Sequence, residues 1–252
     1  LDLMFQIDDF PDHPTKKHAS DFFQGVGGMA GNSAVALSRL GAKAAFYGPI
    51  GDDHAAPVFL QHLRQQGVDT PHVVPVAGQG NSISAIVTDQ HGERMIYSHK
   101  GSALQHPGPF DASCLDHQDV VLTDPRCVPW AEQAMRLARQ RKLPCLLDGE
   151  VSPSEDLQRL VPLARWVVFS DPGLQSFHAG LHADGLARAL ESSPELELAA
   201  VTLGSQGLMW QLRGQAVQHM DGFAVPQVVD TTGAGDTFHG ALALAWAQGM
   251  GH

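Results

Sequence analysis

Two periodicities divide this chain. Short apolar runs of strand length alternate with longer stretches in which apolar side chains recur every three or four positions. The runs predict strands at 44–47, 120–122, 145–147, 166–169, 198–203 and 228–229. The longer stretches predict helices at 32–40, 56–66, 129–141, 156–163, 184–191 and 234–248. Strand and helix in alternation argue for an α/β fold with a mainly parallel sheet flanked by helices. Gly41 and Gly67 stand just past two helix ends, where a left-handed residue is needed, and Pro129 suits a first helical position. One region breaks the rhythm. The run 82–88 partly alternates, Asp89-Gln90-His91-Gly92 turns, and 93–99 returns, which is the pattern of a β-hairpin. The stretch 3–24 is irregular, and Pro11 and Pro14 exclude a helix there.

Composition narrows the class. At 252 residues and 43% hydrophobic content the chain can bury a sizeable core. A net charge of −11 without a basic run argues against a nucleic-acid partner. No apolar run approaches membrane-span length, and no basic-then-apolar signal opens the chain. Cys114, Cys127 and Cys145 have no C-x-x-C spacing and read as buried or free thiols of a reducing compartment. These features predict a cytoplasmic enzyme without a membrane partner.

The most informative chemistry lies in Val229-Asp230-Thr231-Thr232-Gly233-Ala234-Gly235-Asp236-Thr237-Phe238. Gly233, Ala234 and Gly235 leave little side chain to keep a ligand off the backbone. Opening a helix, their N–H groups form an anion site favoured by the helix dipole. A carboxylate, Asp236, beside an anion site is unexpected. Phosphoryl transfer accounts for both, with amides holding phosphate charge and the acid orienting and deprotonating a hydroxyl. Asp236 alone would equally suit a capped first turn. Thr231 or Thr232 could add a hydroxyl donor or simply form the turn.

This run resembles the D-T-x-G-A-G-D signature of the ribokinase-like (PfkB) carbohydrate kinases, matched in full from Asp230 to Asp236. Gly27-Gly28-Met29-Ala30-Gly31-Asn32, leading to Arg39-Leu40-Gly41, is similar to that family's N-terminal motif; Gly51-Asp52-Asp53 and Gly67-Val68-Asp69-Thr70 also fall in place. The resemblance implies a doubly wound ribokinase-like α/β domain over 1–252, with 3–24 and 82–99 forming a small β-sheet lid over the sugar and a homodimer clasp. It implies an ATP-dependent sugar kinase using Mg2+, with Asp236 as base and Gly233, Ala234 and Gly235 as anion hole. Thr202, Gly204, Ser205 and Gly207 resemble the family's T-x-G-x-x-G nucleotide loop, and Asp2, Gly28 and Asn32 are nominated for the sugar. Asn32 could instead cap its helix. The family also places an inner strand ahead of Asp2 and further helices after the Asp236 helix, so the chain reads as part of a longer protein.

Arg126, in Thr123-Asp124-Pro125-Arg126, leaves a strand at the edge where α/β folds bind ligands. It could grip an anionic substrate group or be a surface arginine, solvated or salt-bridged. With Leu146-Leu147-Asp148-Gly149-Glu150 and Phe169-Ser170-Asp171-Pro172-Gly173, it looks most similar to the sulfofructose kinase branch, which would suit an anionic ketose. Lys100 is a second, weaker cation on the hairpin. Ser170-Asp171-Pro172-Gly173 replaces the N-x-x-E that many members carry around magnesium-bound water; Asp171, with Asp148 or Glu150, is the available replacement. The fourteen histidines show no zinc-ligand spacing. Two other readings remain: a kinase-like fold with impaired catalysis serving in binding or regulation, and a dinucleotide enzyme, disfavoured because Phe238 stands where a third glycine belongs.

Overall fold

The computed structural model describes residues 1–228 and 231–250. The chain divides into two compact units, Leu1–Pro109 with Val228–Thr232, and Phe110–Gln227 with Gly233–His252.

The first unit runs β1 (Asp2–Gln6), β2 (Asp21–Gly25), α1 (Met29–Arg39), β3 (Pro49–Gly51), α2 (Ala55–Gln65), β4 (Val74–Val76), β5 (Ile83–Thr88) and β6 (Arg94–His99). Its sheet has the order β2-β1-β5-β6, with β1 antiparallel to β2, parallel to β5, and β5 antiparallel to β6. The irregular 3–24 stretch and the 82–99 hairpin thus join in one sheet. Asp89 fixes the hairpin turn, its buried carboxylate accepting from the N–H groups of His91 and Glu93, both at 2.9 Å. The helices bury Ala34, Phe59 and Leu63 with Ile50 and Val68. Gly41 and Gly67 end α1 and α2 with φ of 91° and 78°, as their positions predict.

Two expectations shift. Instead of a strand at 44–47 there is a single bridge from Ala45 to Asp69, after which Gly48 leads into β3 and its parallel partner β4. α1 begins at Met29, not 32, because Gly28 at φ 84° caps it. Asn32 is therefore inside the helix, its N–H donating to the Gly28 carbonyl at 3.0 Å, and is not the cap.

The second unit runs β7 (Val121–Thr123), α3 (Val128–Gln140), β8 (Cys145–Gly149), α4 (Ser154–Leu160), β9 (Trp166–Ser170), α5 (Asp171–Phe177), α6 (His182–Glu191), β10 (Leu198–Thr202), β11 (Leu208–Leu212), β12 (Gln218–Met220) and α7 (Ala234–Ala247). The sheet order is β12-β11-β10-β9-β8-β7; β7 through β10 are parallel, and β11 and β12 are antiparallel additions. Cys145, Leu147, Val167, Phe169, Ala199 and Val201 are buried, as strands covered on both faces require. The alternate positions Leu146, Trp166, Val168 and Ala200 pack with Ala243, Phe238 and Leu242 of α7. Trp166 and Trp246 stack with ring centres 3.9 Å apart. That packing sets α7 on the sheet and brings its N-terminus to the carboxyl ends of the parallel strands, the usual ligand edge.

Here too some boundaries move. β10 stops at Thr202, because the Leu203 N–H turns back to the Gly207 carbonyl at 2.8 Å. α4 gives way at Val161–Leu163 to a tighter turn, where Pro162 has no N–H to continue the ladder. α5, β11 and β12 have no counterpart among the expected elements. The strand expected at 228–229 is absent at Val228, and Val229 lies outside the described residues, as does Asp230.

Candidate active site

α7 opens as its sequence predicts. Gly233 is the N-cap at φ 72°, in the left-handed region that glycine enters without strain, and no side chain among the described residues caps the helix. Ala234, Gly235 and Asp236 follow as the first turn, whose N–H groups have no partner within the helix. A Cβ placed on Gly235 would meet nothing within 4 Å among the described residues. The positive φ belongs to Gly233, which makes it the residue whose replacement would strain the turn. Asp236 stands in this first turn with its side chain half-buried.

Acids gather around it. Burial pushes the Asp148 carboxyl, on β8, up to about 7; His239 draws it down, while Asp124, Asp236 and Glu150 push it further up. All four carboxylates therefore share one neighbourhood. Asp148 faces His239 on α7, with Oδ1 3.5 Å from the ring Nε2 and both side chains about 95% enclosed (relative exposures 5% and 4%). The same Nε2 lies 3.1 Å from the Val168 carbonyl, and Nδ1 lies 2.7 Å from the Gly235 carbonyl. Sequence reasoning passed over His239; its signal was a histidine in an otherwise apolar helix stretch.

Ser170–Gly173 proves to be a helix cap. The Ser170 hydroxyl accepts from the Gly173 N–H at 3.1 Å and donates to Glu150 Oε1 at 2.9 Å. A Cβ on Gly173 would come 1.9 Å from the Gly149 carbonyl oxygen, so the fourth position of N-x-x-E is here closed to any side chain. Asp171 pairs with His182 Nε2 at 2.8 Å. Of the carboxylates named for the metal, Asp148 is held by His239 and Asp171 by His182, which leaves Glu150.

Arg126 lies in the turn Pro125–Cys127 that follows β7, its N–H donating to Asp124 Oδ1 at 2.8 Å. Its side chain is exposed and has no ion pair among the described residues, so the salt-bridged alternative falls away. In the nucleotide-loop candidate, Thr202 ends β10 with its hydroxyl donating to the Phe169 carbonyl at 3.3 Å. Gly204 has φ 58° with open space where a Cβ would point, and Ser205 is exposed. Gly207 is different: a Cβ there would meet the Met220 carbonyl oxygen at 2.0 Å, so close strand passage explains that glycine.

Within the first unit, Asp2 at the start of β1 lies against Gly27, beside Gly28 at the N-terminus of α1. Partial burial raises the Asp2 carboxyl above its ordinary value, opposed by a hydrogen bond with Ser84. The GDD and hairpin segments are tied together: Asp53 accepts from the Asn81 N–H at 2.7 Å and Nδ2 at 2.6 Å and from the Ala55 N–H at 3.0 Å. That is a structural pin. Arg94 of β6 donates to the hydroxyls of Thr232, at 2.5 Å, and Thr231, at 2.7 Å, a grip that no sequence pattern announced.

A model of the pfkB family carbohydrate kinases matches residues 2–251. Mouse ketohexokinase is 29% identical over 267 aligned positions, covering 99% of this chain and 87% of that protein. Rice fructokinase-1 is 32% identical over 248, covering 89% and 74%. Among solved structures, a protein from Agrobacterium tumefaciens assigned as a ribokinase superposes with a TM-score of 0.92 at 31% identity, over 100% of this chain and 82% of that one. A ribokinase of Arabidopsis thaliana, solved with ribose and ATP, has a TM-score of 0.82 at 20% identity over 98% and 83%, a likeness of fold.

Proposed function

The chain belongs to the pfkB family of carbohydrate kinases, and we propose that it transfers the γ-phosphoryl group of ATP to a hydroxyl of a ketose. The observation that carries this reading is the N-terminus of α7, where a left-handed Gly233, an open Gly235 and Asp236 stand in one turn that no side chain among the described residues caps. In this reading the first-turn amides hold the charge that develops on the phosphates, fixed before the reaction and therefore free of reorganisation cost. Asp236 orients the attacking hydroxyl and accepts its proton. Phosphoryl transfer has a loose transition state, so the position of this base matters more than its basicity. Thr202, Gly204 and Ser205 serve the nucleotide. Asp2, Gly28 and Asn32 serve the sugar, whose hydroxyls need donors and acceptors in fixed directions.

Magnesium, when bound with the nucleotide, would neutralise phosphate charge. Glu150, held by Ser170 and not enclosed in an ion pair, is the residue suited to face its water shell. Two of the relatives, a ketohexokinase and a fructokinase, support a ketose, while the Agrobacterium structure assigned as a ribokinase points to ribose as the competing substrate. The exposed Arg126, with no ion pair among the described residues, supports an anionic ketose such as sulfofructose. The sheet of the first unit would serve as lid and dimer clasp, a role its exposed Phe22, Phe23, Ile96 and Tyr97 support.

The test is ATP consumption by purified protein against a panel of neutral, phosphorylated and sulfonated ketoses and aldoses. Turnover on a ketose is the expected result. Turnover on ribose or other aldoses alone would overturn the substrate assignment, and none on any sugar would overturn the activity.

A further inference from the structure

We infer that Arg94 is a positioning residue for phosphoryl transfer: from the hairpin it grips the hydroxyls of Thr231 and Thr232 and so fixes the peptide through which the chain enters the Gly233 turn. The inference rests on the kinase reading above and concerns a residue outside the motifs that carry the family resemblance.

Arg94 has a fixed mount. Asp89 holds the hairpin turn through the N–H groups of His91 and Glu93, and the two strands pair from there, with Arg94 opposite Thr88 and His99 opposite Ile83. From the first position of β6, Arg94 donates through Nη1 to Thr232 Oγ1 at 2.5 Å and through Nη2 to Thr231 Oγ1 at 2.7 Å. All three residues belong to the first unit. A guanidinium is a planar fork, so it can hold two adjacent acceptors at once, which the point charge of a lysine cannot do. Threonine is β-branched and stiff at χ1, so a grip on each Oγ1 also restrains the backbone of two consecutive residues. The next peptide unit joins the Thr232 carbonyl to the Gly233 N–H, and Gly233 at φ 72° is the N-cap of α7. This turn has little of its own to hold it in shape. Glycine is the residue with the most backbone freedom, and a Cβ on Gly235 would meet nothing within 4 Å among the described residues. Order must therefore come from the flanks. The packing of α7 supplies it on one side, and Arg94 supplies it on the other. An anion site aids catalysis only as far as its donors are oriented before the charge develops.

Both bonds lie between exposed side chains, so their loss should cost little stability and appear in the rate instead. With ATP and the ketose turned over fastest in the panel above, Arg94→Ala should lower kcat about tenfold and leave the sugar KM within about twofold. Arg94→Lys, which can serve one hydroxyl at a time, should lose less. Thr231→Val with Thr232→Val removes both acceptors and keeps the side-chain shape. Adding Arg94→Ala to that pair should lower kcat no further, because Arg94 acts only through these hydroxyls. Losses that multiply, or a parental kcat in Arg94→Ala, would overturn the inference. A second readout needs no substrate: the 1H–15N amide shifts of Gly233 and Gly235 in the ligand-free protein. Arg94→Ala should move both, and unchanged shifts would overturn the role of the grip in setting the turn. Failure of the kinase reading is distinguishable, since it appears as an unmodified protein that phosphorylates no sugar while the amide shifts still report on the turn.

Discussion

Asp2 lies so close over Gly27 that a Cβ built on the glycine would come 2.1 Å from the carboxylate carbon and from Oδ1. No real side chain tolerates that separation, so the glycine exists to seat the acid. The N-terminal Gly-Gly pair therefore divides its work: Gly27 makes room for Asp2, and Gly28 supplies the positive φ that starts α1. Gly27→Ala should displace Asp2 and raise the sugar KM about tenfold or more, the cost of misplacing a buried polar contact to a substrate hydroxyl. The ATP KM should stay within twofold. Sugar kinetics like those of the parent in a folded variant would take Asp2 out of the sugar site.

Removing the base tests the turn itself. Asp236→Asn should lower kcat by about two orders of magnitude or more while leaving the melting temperature close to that of the parent, because the residue is half-buried in a first turn that the amide also suits. Steady-state rates and a thermal melt check both parts. A rate within a few-fold of the parent would make Asp236 a capping residue.

Arg126 has an exposed side chain with no ion pair to break among the described residues, so its replacement should cost little stability. A charge-assisted contact contributes about 1.5–3 kcal/mol, so Arg126→Ala should reduce kcat/KM on a sulfonated or phosphorylated ketose by about one to two orders of magnitude. On plain fructose it should change little. Comparable losses on charged and neutral sugars would dispose of the anionic-substrate reading.

The thiols carry a pH dependence. Burial pushes Cys145, on β8, and Cys114 up to about 12 from an ordinary value of 9.0. A pKa raised on folding means that the native state keeps its proton longer than the unfolded chain. The associated stability is complete below pH 9 and is lost as the pH climbs from there toward 12. Denaturant midpoints should fall across that window, and Cys145→Ala should flatten the decline. At pH 8 a thiol reagent should modify the half-buried Cys127 ahead of the other two. Rapid labelling of Cys145 in the native protein would contradict its burial.

What the sequence determined by itself is the part of this protein that depends on local chemistry. The alternation of periods, the glycines past α1 and α2, the hairpin turn at Asp89–Gly92 and the anion-binding start of α7 all follow from neighbouring residues, because backbone conformation and orphan amides are short-range properties. The boundaries that moved also did so for local reasons, with Gly28 capping α1, Pro162 ending α4 and the Gly207 carbonyl turning Leu203 out of β10. Tertiary structure alone decided the rest. Gly27 looks like any turn glycine until Asp2, twenty-five positions away, is brought against it. Ser170–Gly173 reads as a damaged metal motif until Gly149 is seen to close its fourth position. His239 reads as one of fourteen histidines until β8 and β9 set an acid and a carbonyl against one nitrogen, and α7 sets Gly235 against the other. The charge on a buried group is a property of its surroundings, and those surroundings exist only once the sheet has formed.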